Sequence, residues 1–126
     1  MKKGKGVMGL THKHLIVKER QSAKRAVEVA FLVDSGAMYS VVPTALLKKI
    51  GVKPYKTVEF TLADGRKLKR KVGDAYFELN GTGGAAPVIF GERDDEPLLG
   101  ATTLESLGLA LDPFRRELYP ARMMLA

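Results

Sequence analysis

The chain contains no cysteine, which excludes disulfides, thiolate metal sites and a cysteine nucleophile. It also lacks long hydrophobic runs. No apolar stretch approaches the roughly 18 residues that a membrane-spanning helix requires. The basic start Met1-Lys2-Lys3-Gly4-Lys5 is not followed by an apolar segment, so it does not read as a secretion signal. The expected compartment is therefore the cytoplasm. Zinc-ligand spacing, an aromatic-rich sheet motif, low-complexity tracts, linkers and fixed-period repeats are all missing. What remains is an ordinary globular composition. With 126 residues, 45% hydrophobic and 28% charged, the chain is expected to be one domain with a real core.

Charge is the first positive signal. The net charge is +7, and five of the six residues from Arg66 to Lys71 are basic. A nucleic-acid surface built on Arg66, Lys67, Lys69, Arg70 and Lys71 is one reading, and a solvated basic hairpin is the other. Periodicity is the second signal. Residues 11–17 and 25–33 read as strands joined by a polar connection, with Val27, Val29, Phe31 and Val33 alternating against Glu28 and Ala30. Residues 40–42 form a short β-branched run. A helix over 45–50, opened by Pro43-Thr44 and stopped by Gly51, follows it. Residues 57–63 and 66–72 flank the hairpin signal Asp64-Gly65. Residues 75–79 and 86–90 are separated by Asn80-Gly81. Thr102-Thr103-Leu104-Glu105 has capping-box spacing for a helix to about 107. Residues 109–118 read as strand, turn at Asp112-Pro113, and strand. Many short strands with two short helices predict a small all-β fold, a barrel or a sandwich.

Asp34-Ser35-Gly36 is the most informative chemistry. It ends the apolar run Ala30-Phe31-Leu32-Val33 and precedes Ala37. A carboxylate beside a core is costly unless it is hydrogen-bonded or used. By itself the tripeptide reads as a structural turn or cap more readily than as catalytic machinery. Other candidates carry blander readings. His12 and His14 share a strand face but lack a third ligand, so no metal is expected there. Gly81-Thr82-Gly83-Gly84 has no helix start after it and reads as a hairpin turn rather than a phosphate loop. Asp94, Asp95 and Glu96 read as a solvated loop rather than a cation site. Asp64 sits in a turn and is not expected to supply a second carboxylate to Asp34.

Two separated motifs together carry a resemblance. Phe31-Leu32-Val33-Asp34-Ser35-Gly36-Ala37, with Ser40-Val41-Val42-Pro43 after it, is followed much later by Pro97-Leu98-Leu99-Gly100-Ala101-Thr102-Thr103-Leu104-Glu105. Between them lies Phe60-Thr61-Leu62-Ala63-Asp64-Gly65-Arg66. In this the chain resembles the retropepsin-like aspartic proteases of the small single-domain kind, over roughly residues 25–120. The resemblance implies a small closed barrel of the acid-protease type with one or two short helices. Residues 1–24 would then form a basic segment and the first strand hairpin, 25–120 the retropepsin-like domain, and 121–126 a tail, all within one domain. It implies Asp34 as the catalytic carboxylate, with Ser35, Gly36 and Ala37 supporting its loop. Ser35 would bond across a two-fold axis. Leu98, Leu99 and Gly100 would pack beneath, and Ala63, Asp64 and Gly65 would form the flap tip over an extended peptide.

Chemistry adds the assembly. Amide hydrolysis without metal or nucleophile uses one carboxylate to deprotonate water and one carboxylic acid to protonate the carbonyl oxygen; two carboxyls about 3 Å apart share a proton. One Asp-Ser-Gly per chain then requires a homodimer acting on a peptide or protein substrate, with no cofactor. A peptide-binding or dimerisation module without activity, and a basic nucleic-acid-binding barrel, are the rival functions. The charged flap departs from the glycine-rich, apolar flaps of retroviral members. It either favours acidic substrates or keeps an exposed hairpin soluble. The Arg116–Ala126 tail is also open to a use other than the dimer interface that retroviral members build from both termini.

Overall fold

The computed structural model describes residues 11–122. The start Met1–Lys5 and the last residues of the tail, 123–126, lie outside them. The elements are β1 (His12–Lys18), β2 (Ala26–Val33), β3 (Ser40–Pro43), α1 (Thr44–Lys49), β4 (Lys56–Thr61), β5 (Lys67–Leu79), β6 (Thr82–Gly91), β7 (Leu98–Leu99), α2 (Ala101–Ser106), β8 (Leu109–Asp112) and β9 (Glu117–Pro120). This is the all-β chain with two short helices that the turn spacing predicts.

One seven-stranded sheet runs β1-β2-β7-β3-β6-β5-β4, and an additional β1–β5 pairing closes it into a ring. β4 is left outside as the free arm of the β4–β5 hairpin. The closing rungs pair Ile16 with Glu78, Val17 with Phe77 and Lys18 with Tyr76, and the Lys18 ammonium lies 3.3 Å from the Glu78 carboxylate. β8 and β9 form a separate antiparallel pair.

Period-two patterning explains the interior. Leu15 and Val17 of β1, Val29, Phe31 and Val33 of β2, and Phe77 of β5 all point inward and are buried in one cluster. Phe31 and Phe77 meet across it with ring centroids 6.1 Å apart, tilted by 53°. Leu47, Ile50 and Val52 of α1 and its exit, and Leu104 and Leu107 of α2 and its C-cap, cap the same cluster.

Three local readings differ from the sequence expectation. The expected strands 66–72 and 75–79 are one strand, β5, which starts at Lys67 and changes partners at Val72, paired with both Lys56 and Ile89. Gly73 makes that continuity possible. A Cβ there would sit 2.6 Å from the Lys53 carbonyl oxygen, so only glycine lets the strand pass this segment. In addition, Thr82–Gly84 are the first residues of β6, so the turn is confined to Asn80-Gly81. Thirdly, the two-residue strand β7 has no periodic signal of its own in the sequence.

Phe77 is fully buried at the ring closure, so Phe77→Ala is expected to lower stability by about 3–5 kcal/mol, read from urea denaturation. An effect below about 1 kcal/mol would mean that β1 and β5 do not close the ring around it.

Candidate active site

Asp34 follows the last residue of β2, and its backbone extends the β2–β7 ladder by one rung. Its N–H donates to the Leu99 carbonyl at 3.0 Å, after the paired residues Leu32–Leu98 and Val33–Leu99. The chain then turns tightly. The Asp34 carbonyl accepts the Ala37 N–H at 3.1 Å, and its Oδ1 accepts the Gly36 N–H at 2.9 Å. The loop exit is pinned to α2, where the Ala101 N–H donates to the Ala37 carbonyl at 2.7 Å and the Thr102 N–H to the Met38 carbonyl at 3.0 Å.

Those last bonds explain why the expected capping box does not form. α2 starts at Ala101 with Gly100 as N-cap and no side-chain cap. Its first free amides, which a serine or threonine would otherwise satisfy, are taken by the carbonyls of the Asp34 loop. Thr103, one residue beyond the expected cap Thr102, turns inward instead. Its hydroxyl, fully buried, lies 2.5 Å from the equally buried Ser40 hydroxyl, which also accepts the Gly100 N–H at 2.9 Å. Gly100 admits no side chain here, since a Cβ would meet the Tyr39 carbonyl oxygen at 2.6 Å and that of Ala37 at 2.9 Å. Leu99 is fully buried beside it.

The Asp34 side chain is exposed in the single chain, together with Ser35 and Gly36. This corrects the expectation of a carboxylate beside the core. The reason is parity. Val33 and Leu99 point into the interior cluster, whereas Leu32, its partner Leu98 and Val41, which pairs with Leu98, belong to the other face. Asp34 lies two residues beyond Leu32 and continues that outer face. On it sits a second apolar cluster of Val41, Val72 and Ile89, joined by the partly buried Tyr39, Val58, Phe60 and Leu98. Ser35, Gly36, Ala37 and Met38 instead line a shallow hollow with Ala101, Thr102 and Glu105, and Met38 is 67% exposed.

Ala63, Asp64 and Gly65 form the tip of the β4–β5 hairpin. The Leu62 N–H donates to the Arg66 carbonyl at 2.7 Å and the Gly65 N–H to the Leu62 carbonyl at 2.9 Å. The Asp64 carboxylate is held in the same turn, accepting from the Arg66 N–H at 3.0 Å and from its Nε at 2.7 Å. Among the described residues, the tip makes no hydrogen bond to the Asp34 loop.

The basic run divides between two faces. Lys67, Lys69 and Lys71 are exposed on one side of β5; Leu68 and Arg70 lie on the other, partly buried. Arg70 reaches Asp95 with two bonds, Nε to Oδ2 at 2.7 Å and Nη2 to Oδ1 at 3.1 Å, and Asp95 also accepts the Glu92 N–H at 2.8 Å. The Arg70 hydrogen bond holds the Asp95 carboxyl below the usual carboxylate range, although partial burial opposes it. That same bond raises the Arg70 guanidinium above its ordinary value. Asp95 is therefore an ion-pair partner and not part of a solvated loop. His14 is likewise engaged, its Nδ1 lying 3.0 Å from the Glu28 carboxylate on the surface.

The family model described as aspartyl protease matches residues 24–103, more than half of the chain. The chain belongs to the aspartyl protease family. The matched span holds both the Asp34 loop and the Leu98–Gly100 segment that braces it. The fold of this aspartyl protease family member is that of retroviral proteases. The EIAV protease, solved in complex with the inhibitor HBY-793, aligns over 97% of this chain and 99% of its own, with a TM-score of 0.63 and 14% identity. The protease of simian foamy virus (mac), solved in solution, aligns over 74% of this chain and 92% of its own, with a TM-score of 0.49 and 22% identity. No curated protein sequence matches the chain.

Sequence reasoning missed two features of this site in the aspartyl protease fold. Ser40 and Thr103 read as ordinary strand and helix residues, and only their burial on facing elements shows the shared bond. The Arg70–Asp95 pair was hidden because each residue sits in a run of like charge.

Ser40→Ala strands both the Gly100 amide and the Thr103 hydroxyl, and is expected to cost about 1–3 kcal/mol in denaturant melts. Thr103→Val leaves the Ser40–Gly100 bond in place and should cost less; the reverse order would refute this assignment. Asp95→Asn should lower stability by about 1–2 kcal/mol at neutral pH. Because the folded carboxyl is depressed, the stability it contributes is present above about pH 4 and lost as pH falls through the lowered value. The difference between Asp95→Asn and wild type should therefore close in strong acid. A gap that is constant with pH would rule out the ion pair as its source.

Proposed function

We propose that this chain is an aspartic endopeptidase that acts as a homodimer, with Asp34 of each copy forming one active site. The observation that carries this reading is Asp34 itself. It is solvent-facing in the single chain, yet its backbone is locked at both ends, to Leu99 on one side and through Ala37 to Ala101 on the other. A rigidly held, exposed carboxylate on an apolar outer face suits a group that meets its counterpart from a second chain. The family membership supplies the reaction class.

The reaction follows from sharing one proton between two carboxyls. The ionised Asp34 accepts a proton from water as the oxygen attacks the peptide carbonyl carbon, and the protonated Asp34 of the second copy gives its proton to the carbonyl oxygen. Collapse of the resulting diol breaks the C–N bond, a proton passing to the departing nitrogen. Ser35, whose hydroxyl has no hydrogen-bond partner among the described residues, would brace the two loops against each other. Gly36 and Ala37 leave the carboxylate approachable. The Ala63–Gly65 tip is the candidate flap, and closing it over an extended peptide is its proposed role.

Activity requires one of the pair to be protonated, so it should be highest in mild acid and fall as pH rises and both carboxylates ionise. Asp34→Asn is expected to lower peptide cleavage by about a hundredfold or more at the optimum. Mixing wild type with excess Asp34→Asn should reduce activity as the square of the wild-type fraction. Unchanged cleavage by Asp34→Asn, or activity linear in that fraction, would sink the shared-site mechanism.

A further inference from the structure

The second apolar cluster opens into a cavity of about 290 Å³, lined by Val41, Phe60, Leu68, Ile89 and Leu98 and by four charged residues, Arg70, Asp94, Asp95 and Glu96. Its apolar wall lies on the same outer face as Asp34, since Leu98 pairs with Leu32, two residues before the carboxylate, and with Val41. The charges are not balanced. Arg70 and Asp95 neutralise each other in their two-bond pair. Asp94 and Glu96 are exposed and have no ion-pair or hydrogen-bond partner among the described residues. The result is an apolar hollow with two uncompensated carboxylates at its rim.

The lysines of the basic run do not change that balance. Lys67, Lys69 and Lys71 alternate with Leu68 and Arg70 along β5, and Leu68 and Arg70 are the ones that line the cavity. The lysines therefore point to the opposite face of the arm. The net positive charge of the chain is a poor guide to the sign of the field where a substrate would lie.

We propose that this cavity is a specificity pocket for a lysine or arginine side chain of an extended peptide bound across Asp34. Its methylene stem packs on Val41, Phe60, Ile89 and Leu98, and its cation meets Asp94 and Glu96. Long basic side chains have this division, an apolar stem and a charged head that stays near water. A wholly apolar side chain would leave the two carboxylates without a partner, and an acidic one would be repelled by them. The proposal names the substrate class for the protease reading and rests on it, though the pocket's selectivity can be read without turnover.

The test uses matched peptides that carry lysine, norleucine or glutamate at successive positions. Binding to the Asp34→Asn chain is measured by fluorescence anisotropy, and cleavage by the wild-type chain is measured in parallel. At one position, lysine should bind about tenfold more tightly than norleucine, the scale of charge-assisted bonds to carboxylates, with the advantage shrinking as salt rises. Glutamate should bind least. In Asp94→Asn/Glu96→Gln the ratio of lysine to norleucine should fall to near one, and in Asp94→Lys/Glu96→Lys the preference should pass to glutamate. Equal affinity for lysine and norleucine, a preference that survives neutralisation of the rim, or no peptide binding would each overturn the pocket. Lysine selectivity in binding without any cleavage would retain the pocket and reject the protease reading. Cleavage without lysine selectivity would do the opposite.

Discussion

The two-residue strand β7 is wedged between β2 and β3, and its main chain decides where Asp34 goes. Leu98 and Leu99 run parallel to Leu32 and Val33, and the Leu99 carbonyl takes the Asp34 amide as the next rung. Without that insertion the ring would lack the link from β2 to β3, and the Asp34 turn would hang from a strand end. So short a strand contributes little pairing energy of its own. What fixes it is the buried Ser40 hydroxyl on the Gly100 amide immediately after it, backed by Thr103. Polar groups shut away from water in this manner are costly to leave unpaired, which makes the geometry around Gly100 nearly unique.

From that register follows the division of the sheet into two faces. Val33, Leu99 and Val42 serve the interior, and Leu32, Leu98 and Val41 serve the outside. A slip of one residue would exchange the two sets and turn the loop toward the core. The same parity that builds the hydrophobic interior thus delivers a carboxylate and an apolar surface to the outside together.

Much of this was legible in the sequence because it depends on local rules. Alternation in 25–33 marks β2, Asp64-Gly65 and Asn80-Gly81 mark the hairpin turns, and Gly51 and Gly108 mark helix ends. Asp34-Ser35-Gly36 and Leu98-Leu99-Gly100 are recognisable as a pair through the family resemblance. The misreadings all involve competition from distant chain. Thr102 looks like a cap until the Asp34 loop supplies carbonyls to the helix amides. Residues 66–79 look like two strands until Gly73 is seen to slide past Lys53. Arg70 and Asp95 look like members of two like-charged surface runs until β5 brings them together. Asp34 looks buried because its neighbours in sequence are apolar, whereas its exposure is decided by which side of the sheet position 34 occupies.

The Arg70–Asp95 pair also has a mechanical meaning. It fastens the free arm formed by β4 and β5 to the segment that leads into β7, at a point well below the hairpin tip. Above that clasp, the hydrogen bonds of residues 62–66 are all made within the turn. The arm is therefore a cantilever, anchored at its base and unsupported at its end. Between clasp and tip, Phe60 still packs on the second apolar cluster, so swinging the whole arm away requires parting two charge-assisted bonds together with that contact. Ionic strength, which weakens such bonds, would lengthen the moving part of the lever rather than merely loosen it.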